Sequence, residues 1–116
     1  MLSKRQLPSA VRTAVKAAQS KKAEGVVVID MREAAAFTDF FVIMHGLSVR
    51  QNAALKEAVE VDLKAHGLRP LGVEGSGHGE WILLDYGSFI VHVFSRPARD
   101  YYGLEKLWGD APKISA

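Results

Sequence analysis

Apolar residues recur along this chain with two different periods. Across residues 8–23, Val11, Ala14, Val15 and Ala18 fall at helical spacing with Lys and Arg between them, which predicts an amphipathic first helix closed by Gly25. An apolar run between Gly25 and Asp30 predicts a strand across 26–31, buried on both faces. A short helical turn over 33–37 and a second buried strand over 40–44, ending at Gly46, come next. Ser48 and Gln51 then have the spacing of a capping box, in which each side chain satisfies the other's free backbone N–H. The helix they open runs for about 18 residues, with Leu55, Val59 and Leu63 inward at four-residue spacing. Lys56–Glu60 and Glu60–Lys64 pairs lie on its outer face, and Gly67 is its left-handed stop.

The second half changes to period two. Residues 69–74 predict a strand, and the loop 75–79 holds three glycines that invite comparison with a phosphate cradle. Such a cradle needs a helix immediately afterwards, so that aligned N–H groups face the anion, and here Trp81-Ile82-Leu83-Leu84 predicts a strand. A hairpin connection is the simpler account. Tyr86-Gly87-Ser88-Phe89 places glycine at the first central position of a two-residue type II′ turn, which sets Trp81 opposite Phe94 and Asp85 opposite Ile90. One face of this hairpin is then wholly apolar, with Ile82, Leu84 and Tyr86 against Phe89, Val91 and Val93. The other face mixes Trp81, Leu83 and Asp85 with Phe94, His92 and Ile90.

Ser95 caps a last helix with Pro97 in its first turn, and Tyr101, Leu104 and Trp108 (or Leu107) repeat on one side of it. Helices between early strands and a hairpin among later ones predict an α/β (α+β) mixed sheet of about five strands packed with helices. At 116 residues, the whole chain (1–116) is expected to form one domain, with 1–24 as a basic N-terminal helix and 113–116 as a short tail.

Composition narrows the class. There is no cysteine, which excludes a disulfide framework and any thiolate metal site. No apolar stretch approaches the roughly 20 residues of a membrane span, and the N-terminus lacks the apolar region of a secretory signal, so a cytoplasmic protein without a membrane partner is expected. Charge is unevenly distributed. Residues 1–24 hold six Lys or Arg against Glu24 alone, whereas the remainder has nine basic and twelve acidic side chains. Residues 73–86 contain Glu74, Glu80 and Asp85 with no Lys or Arg, a composition that suits a basic partner and repels phosphate.

Candidate chemistry is sparse. In the hairpin register Asp85 and His92 are diagonal neighbours, two members of a triad, but Ser88 and Ser95 sit in no nucleophile-elbow pattern. His45, His66, His78 and His92 lack the i, i+4 pairing and companion ligands of a metal site. Gly46-Leu47-Ser48, between a strand and a helix, is the turn with which nucleotidyltransferases begin a catalytic helix. Those enzymes also need paired acidic residues on the next strand for two metal ions, and this chain offers Glu74 or Asp85 singly.

Taken in order, Phe37-Thr38-Asp39-Phe40-Phe41-Val42-Ile43, Gly46-Leu47-Ser48-Val49-Arg50-Gln51, Val73-Glu74-Gly75, Trp81-Ile82-Leu83-Leu84-Asp85-Tyr86-Gly87, Val91-His92-Val93-Phe94 and Tyr102-Gly103-Leu104-Glu105-Lys106-Leu107-Trp108 resemble the ribosomal silencing factor family, RsfS or Iojap, over roughly residues 8–112. The resemblance implies a small protein with a nucleotidyltransferase-like sheet, no catalysis and no cofactor. It implies binding to ribosomal protein L fourteen on the large ribosomal subunit, obstructing the small subunit and repressing translation. Organellar relatives imply the alternative of large-subunit assembly, and the glycine–serine turn keeps a nucleotidyltransferase-like enzyme as a lesser one.

The residues themselves support a binding role, because acid around an aromatic anchor is the composition of a hot spot with a charged rim. Glu74, Trp81, Leu83, Asp85, Tyr86 and His92 are the expected partner-contact residues. The competing account has Trp81, Leu83 and Phe94 facing a covering helix. Two further expectations are ribosomal RNA contact by the basic N-terminal helix and a homodimer through the apolar hairpin face.

Overall fold

The computed structural model describes residues 6–116. Residues 1–5, which the basic-helix assignment included, lie outside the described residues. Six strands form one mixed sheet in the order β3-β4-β5-β2-β1-β6. They are β1 (Glu24–Asp30), β2 (Phe40–Gly46), β3 (Gly72–Glu74), β4 (Trp81–Asp85), β5 (Phe89–Ser95) and β6 (Lys113–Ser115), and the helices are α1 (Ser9–Ser20), α2 (Val49–Ala65), α3 (Arg96–Tyr102) and α4 (Leu104–Leu107). Only β2 and β5 run parallel, because α2, β3 and β4 carry the chain across between them.

Strand β2 is buried along its whole length and β5 up to its last residue, so both faces of the sheet centre need a cover. On one face α1 and α2 lay Val11, Val15, Leu55, Val59 and Leu63 over Val28, Val42, Met44, Leu84 and Val91. On the other face α3, α4 and the following turn bring Ala98, Leu104, Trp108 and Ala111 onto Ile29, Phe41, Ile43, Ile90 and Phe94. The hairpin pairs as expected, Trp81 with Phe94 and Asp85 with Ile90. Its tip is tighter than a type II′ turn. Gly87 (φ +82°) lets Ser88 N–H donate to the Tyr86 carbonyl at 3.1 Å, and Tyr86 N–H donates to Phe89 O at 3.0 Å.

Several expectations change. The sheet has six strands rather than five, since Lys113–Ser115, within the segment expected as a tail, pair antiparallel with β1. The 33–37 segment makes only a hydrogen-bonded turn at its start, closed by Ala34 and Ala35 N–H on the Met31 carbonyl. The strand expected over 69–74 is confined to Gly72–Glu74. The capping box is half formed. Ser48 Oγ accepts from Gln51 N–H at 3.0 Å, but Gln51 Oε1 takes Leu47 N–H instead of that of Ser48, and its amide donates to the carbonyls of Lys21 and Lys22. That amide ties the end of α1 to the start of α2. The last helix is broken, because Gly103 takes left-handed φ and ends α3 at Tyr102.

Gly25 is no helix stop. Helix α1 has already ended at Ser20, and Gly25 sits inside β1 at φ +55°, where the β1–β2 register shifts. Its missing side chain admits the Arg99 guanidinium, which a Cβ there would approach to 2.7 Å. Arg99, on α3 and buried, bonds Glu105 at 2.8 Å, His45 Nδ1 at 2.9 Å and the Glu24 carbonyl, and so fastens α3 and α4 to the sheet. Gly25→Ala therefore combines a left-handed backbone with displacement of a pinned cation. It should lower unfolding free energy by about 2 kcal/mol in urea titrations. An unchanged midpoint would show that the guanidinium has room to move.

Candidate functional site

The α3–α4 cover stops short of the outer end of the sheet. There Glu74, His78, Glu80, Trp81, Leu83 and Tyr102 line an open groove of about 340 Å³. No Lys or Arg lines it, so its two carboxylates are not offset by a neighbouring cation in the wall. The indole of Trp81 is half-buried, with its ring centroid 4.9 Å from Phe94 and 4.5 Å from Tyr102. Helix α3 delivers Tyr102 to this position because Gly103 stops it there.

Backbone chemistry fixes the groove's floor. At Gly75 (φ +79°) any Cβ would collide with the Trp81 carbonyl, so only glycine lets the loop cross β4 at this height. Asn52, fully buried on α2, donates from Nδ2 to the Gly79 carbonyl at 2.8 Å and holds the far end of the loop. Glu80 accepts from Ser95 Oγ at 2.6 Å while the same hydroxyl accepts from Ala98 N–H, linking the loop to the start of α3.

Beneath the indole lies His92, 3% exposed. Trp81 Nε1–H donates to His92 Nδ1 at 3.0 Å. An indole N–H can only donate, so Nδ1 is the bare nitrogen and the proton resides on Nε2. That Nε2 is buried without a hydrogen-bond partner among the described residues. Phe41 meets the imidazole edge-on at 4.5 Å and Phe94 stacks beside it. Burial drives the His92 pKa down to about 3, so the ring stays neutral.

The six expected contact residues therefore separate. Glu74, Trp81 and Leu83 share the groove wall. His92 is underneath it. Asp85 turns towards the hairpin tip, where its Oδ1 accepts from Gly87 N–H at 2.8 Å, and the Asp85–His92 pairing is not formed. Tyr86 is on the opposite sheet face, stacked on Phe89 at 5.0 Å, its pKa raised to about 12 by burial and by Glu60. The covering-helix account holds for Phe94, 1% exposed, and only partly for Trp81 and Leu83, while the apolar hairpin face expected to serve a second copy is buried in the core shared with α1 and α2.

Sequence reading missed Tyr102 and Asn52. The signal for Tyr102 was Gly103, which falls within the expected last helix and is in fact the end of α3; Tyr101, placed on the packed side, is 83% exposed. The signal for Asn52 was a lone amide three residues before Leu55 on the inward stripe. At the Gly46–Ser48 turn, the N–H groups of Leu47 and Gln51 are already taken by the side chains of Gln51 and Ser48. Among the described residues no three His, Asp or Glu side chains are grouped to hold a metal ion, and no helix is long and apolar enough to cross a membrane.

Comparison with known proteins gives a consistent result. Residues 4–116 match the family described as Ribosomal silencing factor during starvation. A Ribosomal silencing factor RsfS from Halalkalibacterium halodurans is 40% identical over 104 residues, 90% of this chain and 89% of that protein. The mouse Mitochondrial assembly of ribosomal large subunit protein 1 is 31% identical over 78% of this chain and 41% of its own length. A crystal structure of a Chromobacterium violaceum protein superposes with a TM-score of 0.85 at 35% identity, over 87% of this chain and 84% of that one.

The buried histidines give the fold a definite pH response. Desolvation, with Arg99 and Arg96 nearby, lowers the pKa of His45 as burial lowers that of His92. An unfolded chain takes up these protons below about pH 6.5, and the native state takes them up only at lower pH, for His92 at about 3. Stability is thus complete above that pH and declines on acidification, for His92 by on the order of 1.4 kcal/mol per pH unit down towards pH 3. Urea unfolding at pH 7, 6 and 5 should show this decline, and His92→Asn should make it shallower. A flat profile in the parent protein would mean that the imidazoles are not buried.

Proposed function

The chain belongs to the ribosomal silencing factor family, and we propose that it represses translation by binding the large ribosomal subunit through ribosomal protein L fourteen and sterically blocking the small subunit. The observation that carries this reading is the acidic groove built around Trp81 and Tyr102. Ribosomal proteins are generally basic, and a half-buried indole ringed by carboxylates offers them an apolar anchor with complementary charge. Glu74, Trp81 and Leu83 make the contact, with Asp85 at its margin. Tyr86 acts from the opposite core by stiffening the hairpin. No bond is made or broken in this mechanism. A protein seated on the joining face excludes the other subunit for as long as it stays bound, so its action belongs in the compartment of the ribosome, here the cytoplasm. Repression follows occupancy and reverses on release.

A second reading is large-subunit assembly, supported by the printed name of the mouse relative. It shares the docking step and differs in the stage of the particle that is bound.

Sedimentation of purified subunits tests the proposal directly. The protein should migrate with the large subunit and reduce the joined fraction, and Trp81→Ala should weaken this association by roughly 30-fold, as loss of an aromatic anchor does elsewhere. Glu74→Lys should weaken it less, chiefly by slowing association. Preferential migration with incomplete large-subunit particles would favour assembly.

The basic face of α1 is proposed as an auxiliary contact to ribosomal RNA. Arg12 and Lys16 are exposed, α1 contains no acidic residue, and neither cation has an ion-pair partner among the described residues. Replacing both by Glu should flatten the salt dependence of large-subunit binding by one to two units of log–log slope, counted as about 0.9 per phosphate contact. An unchanged slope removes the contact.

A further inference from the structure

We infer that His92 is a positioning residue for docking, whose Nδ1 lone pair holds the Trp81 indole in the orientation that the groove presents to its partner. The inference rests on the docking role proposed for the groove and explains how its aromatic anchor is made ready before binding.

The starting point is an imbalance. A buried polar group with an unsatisfied hydrogen atom is costly, and an interior position on a sheet strand is ordinarily filled by an aliphatic or phenyl group. Position 92 is such a place. Its neighbours along the same face of β5 are Ile90 and Phe94, and Leu83 lies directly opposite. The imidazole there leaves Nε2 without a partner among the described residues and draws on no counter-charge, since burial is the one cause of its lowered pKa. Packing alone gives no reason for it. What it provides is an acceptor at 3.0 Å from the Trp81 indole N–H.

That acceptor matters because of how Trp81 is held elsewhere. Its ring centroid is within 5 Å of those of Phe94 and Tyr102, and these contacts are tilted, at 34° and 46°, not flat stacks. Tilted contacts lie between the preferred stacked and edge-to-face geometries and so select a ring's direction less sharply than a hydrogen bond does. Tyr102 itself is half exposed and stands on the last residue of a seven-residue helix. The hydrogen bond is the directional restraint: it points the N–H edge of the indole inward and leaves the rest of the ring to line the groove beside Leu83 and Glu74. Phe41, edge-on at 4.5 Å, fixes the imidazole from the other side, so its lone pair is aimed by a residue of the central strand β2. The chain runs from the rigid sheet centre through Phe41 and His92 to the indole, and an anchor ordered in this way avoids the loss of side-chain freedom at the moment of binding.

Three new variants, together with Trp81→Ala, and two measurements test this. His92→Leu keeps volume and removes the acceptor. His92→Asn puts an amide oxygen near the position of Nδ1. Val91→Ala, on the opposite face of β5, is a control for general loss of stability. The indole N–H resonance of Trp81 is followed by nitrogen-15 NMR, with Trp108 as internal reference, and affinity for purified large subunits is measured alongside. His92→Leu is expected to shift the Trp81 indole resonance and speed its solvent exchange while weakening binding about tenfold. His92→Asn should restore both in large part, and Val91→Ala should leave both near the parent values. An unmoved Trp81 resonance in His92→Leu overturns the inference whatever the affinity. A moved resonance with unchanged affinity also overturns it, provided that Trp81→Ala does weaken binding. If Trp81→Ala binds as well as the parent, the docking role of the groove fails and the inference falls with it.

Discussion

The rest of this structure depends on a sheet centre that must be kept from water on both faces. Strands β2 and β5 pair in parallel and present apolar side chains up and down, so each face needs its own cover. The two covers are unequal. Helices α1 and α2 span one face with long apolar stripes, whereas the other receives only the short α3 and α4 and the turn after them. That shortfall leaves the outer end of the β4–β5 hairpin only partly covered, and the groove opens where helix α3 ends at Tyr102.

The incomplete cover is fastened by polar groups. Arg99 reaches from α3 to His45 on β2 and the Glu24 carbonyl on β1, and its charge is met by Glu105 on α4. Burying a guanidinium is favourable only when its donors are occupied, which ties the geometry of α3 to that of two strands and a neighbouring helix. Gly25 belongs to the same arrangement, since its bare backbone leaves the space the guanidinium fills. On the groove side, Asn52 and the Ser95–Glu80 pair do comparable work for the loop 75–79. A groove whose walls come from a loop, a hairpin and a helix end keeps its shape because each is bonded to another element.

This arrangement suits the proposed action by occupancy. Around the aromatic cluster His92 is neutral by burial and Glu80 is bonded to Ser95, Asp85 is bonded at the hairpin tip, and Glu74 carries its carboxylate in the groove wall. They shape and charge a surface. Family membership and the mouse relative's name both point towards the ribosome, and in the function proposed above the acidic groove with its aromatic anchor is the contact with a basic protein there.

Periodicity and turn chemistry made much of this legible. The apolar runs of β1 and β2, the stripe of Leu55, Val59 and Leu63, and the glycine in the Tyr86–Phe89 turn are local signals, and they determined the elements, the hairpin register and the split of the hairpin into an apolar and a mixed face. Trp81 stood out as an aromatic on a hairpin face that a plain core would make aliphatic, and Glu74 as an acid in a stretch without Lys or Arg. Other features depended on distant partners. Gly25 and Gly103 each resemble a generic helix breaker, and only the approach of Arg99 and the seat of Tyr102 on Trp81 decided what they do. The segment 113–116 carries no strand signal of its own and became an edge strand because β1 had an unpaired side. His92 was visible as an unusual residue, but whether its ring donated to the Asp85 carboxylate or accepted from the Trp81 indole was not, and the structure has Asp85 accepting from Gly87 N–H at the hairpin tip instead. Sequence determined what each segment could bury; tertiary structure decided which polar groups met, because hydrogen bonds are directional and the hydrophobic effect is not.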